Sequence, residues 1–284
     1  MYSKYNQPMN KTKNVLIQVF SDIQIYNRIP NIPSKTDYLF LAGNICDIEH
    51  PLFFRFLDDC SHKWKKTFYV PGNREYYSKT KTVNELDFQY NKQIYQRYNN
   101  VYFLNNRFAP LGSHDSPFKN INVYGSISWY IPHYPVSNYP TTVLDAVHIN
   151  KLAENSMNRM ITYLNETTKK TLVVTHYPPV RSKEHLFFSD KQNRLERINT
   201  SNVPLWITAH PHWNSDFEHN PQPRIVNRYV PIYATAQPQM KSGFHDKKTR
   251  LIVNPYDEDT INAVFEIEIS DSECNTLVNS NNIE

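Results

Sequence analysis

The chain has 284 residues, of which 39% are hydrophobic and 20% charged, with a formal net charge of +4. This is the balance of a globular protein, and it excludes disordered and collagen-like classes. No run of Lys or Arg exceeds a pair, so there is no clear nucleic-acid footprint, and no stretch approaches the length of a membrane span.

In chain order, residues 1–13 are polar and read as a loose leader without the apolar core of a signal peptide. Residues 15–20 form an expected strand that ends in Ser21, Asp22, Ile23 and Gln24. Residues 38–42, Tyr-Leu-Phe-Leu-Ala, run without a polar break, the pattern of a strand buried on both faces. Gly43 ends that run, and Asn44 and Asp47 follow. Pro51 can open a helix, with Phe53, Phe56, Leu57 and Cys60 on one face. Residues 67–70 form a third strand that stops at Gly72, Asn73, Arg74 and Glu75. Residues 82–100 read as a polar helix, and 101–104 and 121–124 as strands, the second ending at Gly125.

Ile149, Leu152, Ala153, Ser156, Met160 and Leu164 mark one face of a long helix. Residues 171–175 form a strand stopped by His176, and 182–202 a charged surface insertion. Residues 205–209 form a strand leading into His210, Pro211 and His212. Further strands are expected at 232–235, 251–253 and 264–269, followed by a polar tail. The expectation is one α/β domain over residues 14–270, with a leader at 1–13 and a tail at 271–284. Cys46, Cys60 and Cys274 lack metal-type spacing and cannot all pair, which fits a cytoplasmic or other reducing intracellular compartment and not secretion.

Five apolar runs therefore end in polar groups: Asp22 with Gln24, Asn44 with Asp47, Asn73 with Arg74, His176, and His210 with His212. Strand ends are where open α/β sheets build their sites. Alternate residues of an extended segment point the same way, so His210 and His212 can act together. Trp129, which follows the strand-ending Gly125, is expected at the pocket or its rim.

In this order the blocks resemble the calcineurin-like metallophosphoesterase family, whose pattern is D-x-H, G-D-x-x-D, G-N-H-E or D, a lone His after a strand, and G-H-x-H. Here they read Asp22-Ile23-Gln24, Gly43-Asn44-Ile45-Cys46-Asp47, Gly72-Asn73-Arg74-Glu75, His176, and Ala209-His210-Pro211-His212. The resemblance implies a four-layer αββα sandwich, with two mixed central sheets flanked by helices. It also implies two divalent metal ions (Mn, Fe or Zn). Asp22 and His212 would hold one, Asn73, His176 and His210 the other, and Asn44 would stand where the family has its shared Asp.

Three positions depart from that pattern. Gln24 replaces a His, Asn44 the shared Asp, and Arg74 the His that contacts phosphate or protonates the leaving group. A neutral amide bridges two cations poorly, whereas a carboxylate does so well. Arg74 cannot give up a proton, but it can grip a phosphate through parallel hydrogen bonds. The expectation is a metallophosphoesterase-fold protein with a degraded dimetal site at partial or absent occupancy. It would be catalytically weak or inactive and act as a binding or structural module for a phosphate-bearing ligand or a protein partner. The alternative is an active phosphoesterase that uses one metal, or a rearranged pair recruiting Asp47 or Glu75.

Overall fold

The computed structural model describes residues 13–129, 146–177, 197–209, 217–218, 224–226, 250–253 and 264–269. The elements of the first half are β1 (Lys13–Phe20), β2 (Tyr38–Ala42), α1 (Pro51–Lys63), β3 (Lys66–Val70), α2 (Val83–Arg97), β4 (Val101–Phe103), β5 (Arg107–Pro110) and β6 (Ile121–Ser126). They continue with α3 (Ala146–Glu166), β7 (Lys170–Thr175), β8 (Leu205–Thr208), β9 (Phe217–Glu218), β10 (Arg224–Val226), β11 (Arg250–Val253) and β12 (Val264–Ile269). One turn of 3-10 helix, Arg74–Tyr76, follows β3.

The strands form two mixed sheets. One has the order β12-β1-β2-β3-β4 and the other β5-β6-β7-β8-β11-β10-β9. Strands β1 to β4 are mutually parallel, and β12 closes the edge antiparallel to β1. In the second sheet β6, β7, β8 and β11 run parallel, and β5 is an antiparallel edge.

Alternation along the strands separates the layers, because successive side chains point to opposite faces. Phe40 and Ala42 join Val15, Ile17, Val19, Phe68 and Val70 in a core shared with Val123, Leu172, Val174, Leu205 and Ile207 of the second sheet. Leu39, Leu41 and Tyr69 face the other way, onto Phe53, Phe56, Leu57 and Cys60 of α1 and Leu86, Tyr90 and Ile94 of α2. On the far side Tyr124, Val173 and Trp206 pack against Met160 and Leu164 of α3. The result is the four-layer αββα sandwich.

Local chemistry sets the helix starts. Pro51 occupies the first turn of α1, and the His50 side chain caps it by accepting from Leu52 N–H at 3.2 Å. Thr82 and Glu85 form a reciprocal capping box on α2.

Two expectations change. Gly125 does not end a strand, since β6 runs on to Ser126. Its missing side chain serves packing, because a Cβ there would lie 2.4 Å from Leu104 Cβ and 2.6 Å from Val70 Cγ2. Strand β5 was not expected: it is a four-residue edge ending in proline, and its alternation is too short to read. The leader before Lys13, most of the insertion at 182–202, the strand at 232–235 and the tail after Ile269 lie outside the described residues.

Candidate functional site

The site is built where the parallel ladder of β1 and β2 continues beyond the regular strands. Asp22 N–H donates to Gly43 O at 2.8 Å, Gln24 N–H to Asn44 O at 3.0 Å, and Ile25 N–H to Ile45 O at 2.8 Å. Along this stretch Asp22, Gln24 and Asn44 hold φ values of 55°, 50° and 55°. Left-handed backbone in non-glycine residues is uncommon, and it persists where surrounding structure over-determines it. Gly43 has φ 92°, and a Cβ there would fall 2.4 Å from His176 Nδ1. A Cβ on Gly72 would fall 2.3 Å from Asn44 Oδ1. These two glycines let the strand-end loops close on one another.

Glu75 locks that closure. It is fully buried, and its carboxylate collects backbone donors from both loops. Oε2 accepts from Asn44 N–H at 3.0 Å and Gly72 N–H at 2.7 Å, while Oε1 accepts from Ile45 N–H at 2.5 Å and Cys46 N–H at 3.3 Å. Burial pushes its carboxyl pKa up, and the backbone donors oppose that shift. The sequence pattern contained Glu75 but did not show this role.

Above the clasp lie the three departures from the family pattern. Asn44 Nδ2 donates to Asp22 Oδ1 at 2.8 Å, and Asn44 Oδ1 accepts from Arg74 N–H at 3.0 Å. Both ends of the amide are thus engaged. The other oxygen of Asp22, Oδ2, is buried with no hydrogen-bond partner among the described residues. Arg74 Nη1 donates to Gln24 Oε1 and to the Tyr26 hydroxyl, each at 2.6 Å, and Tyr26 OH donates to Gln24 Oε1 at 2.9 Å. The Arg74 side chain is exposed and makes no ion pair among the described residues. Gln24 and Tyr26 therefore hold the guanidinium at the rim. No sequence signal singled out Tyr26.

Behind this network His176 is fully buried at the end of β7. Its Nδ1 faces Ala42 O at 2.9 Å and its Nε2 faces Asn73 Oδ1 at 2.9 Å. A carbonyl only accepts, so Nδ1 carries a proton and the Nε2 of a neutral ring presents its lone pair. Asn73 Nδ2 donates to the Tyr77 hydroxyl, which turns the amide oxygen toward the ring. A second proton on the imidazole, or a cation shared by both atoms, satisfies this edge.

The structure thus brings Asp22, Asn44, Asn73, Arg74 and His176 together at the strand ends as two hydrogen-bonded sets, Asp22–Asn44–Arg74 and Asn73–His176, joined through the chain at Asn73 and Arg74. Asp47 lies apart in an exposed turn, where its Oδ1 accepts from Glu49 N–H at 2.8 Å. Trp129, expected at the pocket or its rim, is 2% exposed and belongs to the helix–sheet core. Its ring packs 5.9 Å from that of Tyr76 and 6.2 Å from that of Tyr177, so it supports the site from the core side. His210 and His212 lie outside the described residues.

The donor set can be tested against metal ions. Asn73 Oδ1 and His176 Nε2 stand 2.9 Å apart. Adjacent ligands on an octahedral ion with bonds of about 2.1 Å are about 3.0 Å apart, so this half fits one cation. The other half does not fit, because Asn44 turns N–H groups toward Asp22 and Gln24 spends its oxygen on Arg74 and Tyr26. Among the described residues no three His, Cys, Asp or Glu side chains are grouped to hold a metal ion.

The family model described as calcineurin-like phosphoesterase matches residues 13–214, and the chain belongs to that family. An uncharacterized protein of Acanthamoeba polyphaga mimivirus is 26% identical over 214 residues, covering 66% of this chain and 76% of that protein. A phosphopantetheinyl hydrolase from Mycobacterium tuberculosis has a crystal structure that matches with a TM-score of 0.48 and 14% identity, over 73% of this chain and 86% of that one. No helix among the described residues is long and apolar enough to cross a membrane.

Proposed function

We propose that this metallophosphoesterase-family chain is a catalytically weak or inactive binding module. In it, hydrogen bonds among Asp22, Asn44 and Arg74 replace the anionic bridge between two metal ions. The observation that supports this most directly is the doubly engaged amide of Asn44, which donates to Asp22 at 2.8 Å and accepts from Arg74 N–H at 3.0 Å. An aspartate in its place would set two carboxylate oxygens face to face and call for a cation between them. The amide satisfies Asp22 with a hydrogen bond and calls for none.

Arg74 then supplies a permanent charge at the rim, suited to a phosphate-bearing ligand or a phosphorylated protein partner. It cannot act as a general acid. An Mn, Fe or Zn ion would be held, at partial occupancy, by Asn73 and His176, with His210 as the expected third ligand.

The alternative is an active phosphoesterase using one metal, and the 2.9 Å Asn73–His176 edge favours it. A cation there would supply Lewis-acid polarisation of a phosphate oxygen. Equilibrium dialysis against Mn²⁺ followed by elemental analysis tests the proposal. At most one ion per chain agrees with it, and two ions per chain overturn it.

A further inference from the structure

Tyr26 is an unusual surface tyrosine. Its side chain is 61% exposed, yet its hydroxyl is held at both of its functions, accepting from Arg74 Nη1 at 2.6 Å and donating to Gln24 Oε1 at 2.9 Å. The ring is therefore fixed by its polar tip and not by packing, and it stays open to solvent. It stands beside an arginine that has no carboxylate partner among the described residues. Among the described residues Nη1 makes both Arg74 side-chain hydrogen bonds, and Nε and Nη2 meet no acceptor there.

Two recognition elements thus lie side by side. One is the remaining guanidinium edge, which presents parallel N–H groups to two oxygens of a phosphoryl group. The other is a flat aromatic face whose rotamer is already fixed, so stacking on it costs little side-chain entropy. The hydroxyl contact sets the spacing. The ring begins one C–O bond beyond an atom 2.6 Å from Nη1, within the width of one guanidinium of a phosphate held on the Nε–Nη2 edge and within reach of the group that phosphate carries.

We infer that Tyr26 and Arg74 together form a subsite for a phosphomonoester whose phosphate carries a flat aryl ring. Arg74 holds the phosphate, Tyr26 stacks on the ring, and Gln24 positions both. This rests on the reading of Arg74 as a phosphate contact and adds to it the chemical class of the attached group.

The test uses two probes of equal charge and similar size, phenyl phosphate and cyclohexyl phosphate, titrated calorimetrically into the full-length protein without added metal. Stacking on an exposed aromatic favours a flat ring, so phenyl phosphate is expected to bind at least about fivefold tighter than its puckered analogue. Tyr26→Leu keeps an apolar group but no flat face, and should bring the affinities of the two probes to within about twofold of one another. Tyr26→Phe keeps the ring and frees its tip, and should retain part of the preference. Arg74→Gln should lose both probes. Equal affinities in the wild type, or a preference that survives Tyr26→Leu, would overturn the ring subsite and leave the phosphate contact standing. Failure of either probe and of inorganic phosphate to bind would overturn both. Tyr26 is exposed and outside every packed core cluster, so thermal melting of the Leu variant is expected to match the wild type.

Discussion

Asn44→Asp is the substitution that exposes what the Asn44 amide does. It converts the 2.8 Å contact between Asn44 Nδ2 and Asp22 Oδ1 into one between two carboxylate oxygens. At that separation two unit charges repel by about 6 kcal/mol with an effective dielectric of 20. Proton uptake limits the cost. Keeping the new carboxyl protonated at pH 7, against an unfolded value near ~3.9, costs about 4 kcal/mol, and the resulting O–H donor returns about 1 kcal/mol. The variant should therefore be destabilised by about 3 kcal/mol at pH 7, and by under ~1 kcal/mol at pH 5 on the same calculation.

The sign follows from linkage. The folded variant binds more protons than its unfolded chain, so its stability is intact below the unfolded carboxyl value and is lost as pH rises above it. A divalent cation can stand where the proton stood, so Mn²⁺ should recover most of the loss in the variant and do less for the wild type. Urea unfolding followed by circular dichroism at pH 5 and pH 7, with and without Mn²⁺, measures all four terms. A variant as stable as the wild type at pH 7 without metal would refute the reasoning, because the amide would then not be relieving a charge problem.

Glu75→Gln replaces one acceptor oxygen by a donor where each oxygen takes two backbone N–H groups, and should cost roughly 2–4 kcal/mol in urea unfolding. Because burial raises the Glu75 carboxyl, its contribution is fully present below the ordinary value of 4.5 and declines as pH rises through the raised one. The wild-type advantage over Glu75→Gln should therefore be larger at pH 4 than at pH 7, and an advantage that grows with pH would contradict the raised value. Gly43→Ala meets both a φ of 92° and a 2.4 Å clash with His176 Nδ1, so it should cost more than about 3 kcal/mol, with loss of soluble protein at the extreme. Thr82→Ala removes the α2 capping box and should cost about 1 kcal/mol in the same assay. The Cys46 thiol, pushed up to about 12 chiefly by burial, and the buried Cys60 should resist iodoacetamide at pH 8 until the protein is unfolded.

The parts of the fold that were legible in the sequence are those written in a single period. The α1 face of Phe53, Phe56, Leu57 and Cys60 follows the helical repeat, and those are the residues buried in the helix. Strand β2 is a continuous apolar run, and β3 and β7 are buried along all but their first residue, because both sheet faces are covered. The antiparallel edge β5 was not legible, since two exposed residues in four, one of them proline, leave too little pattern. Gly125 resembled a strand terminator in sequence, because an apolar run ends there in either case. Only the approach of Val70 and Leu104 shows that it serves packing.

For the site, residue types and their order were legible, but their contacts were not. The sequence marks Arg74 as a phosphate grip, but only the structure shows that Gln24 and Tyr26 hold its guanidinium at the rim. Both partners lie about fifty residues away in the chain, in a loop shaped by left-handed backbone that composition does not reveal. The Glu75 clasp is hidden for the same reason, since three of its four donors are backbone groups some thirty residues distant.

The central claim is that Gln24, Asn44 and Arg74 together remove dimetal hydrolysis from an otherwise intact scaffold. The most direct measurement is Mn²⁺-dependent hydrolysis of an activated phosphomonoester and phosphodiester, comparing the wild type with the triple variant Gln24→His, Asn44→Asp, Arg74→His at matched metal. The account predicts little or no turnover by the wild type, and metal binding followed by measurable turnover in the triple variant. The gain should far exceed the sum from single substitutions, as for residues that act as a unit. Robust metal-dependent turnover by the wild type, abolished by His210→Ala, would contradict it.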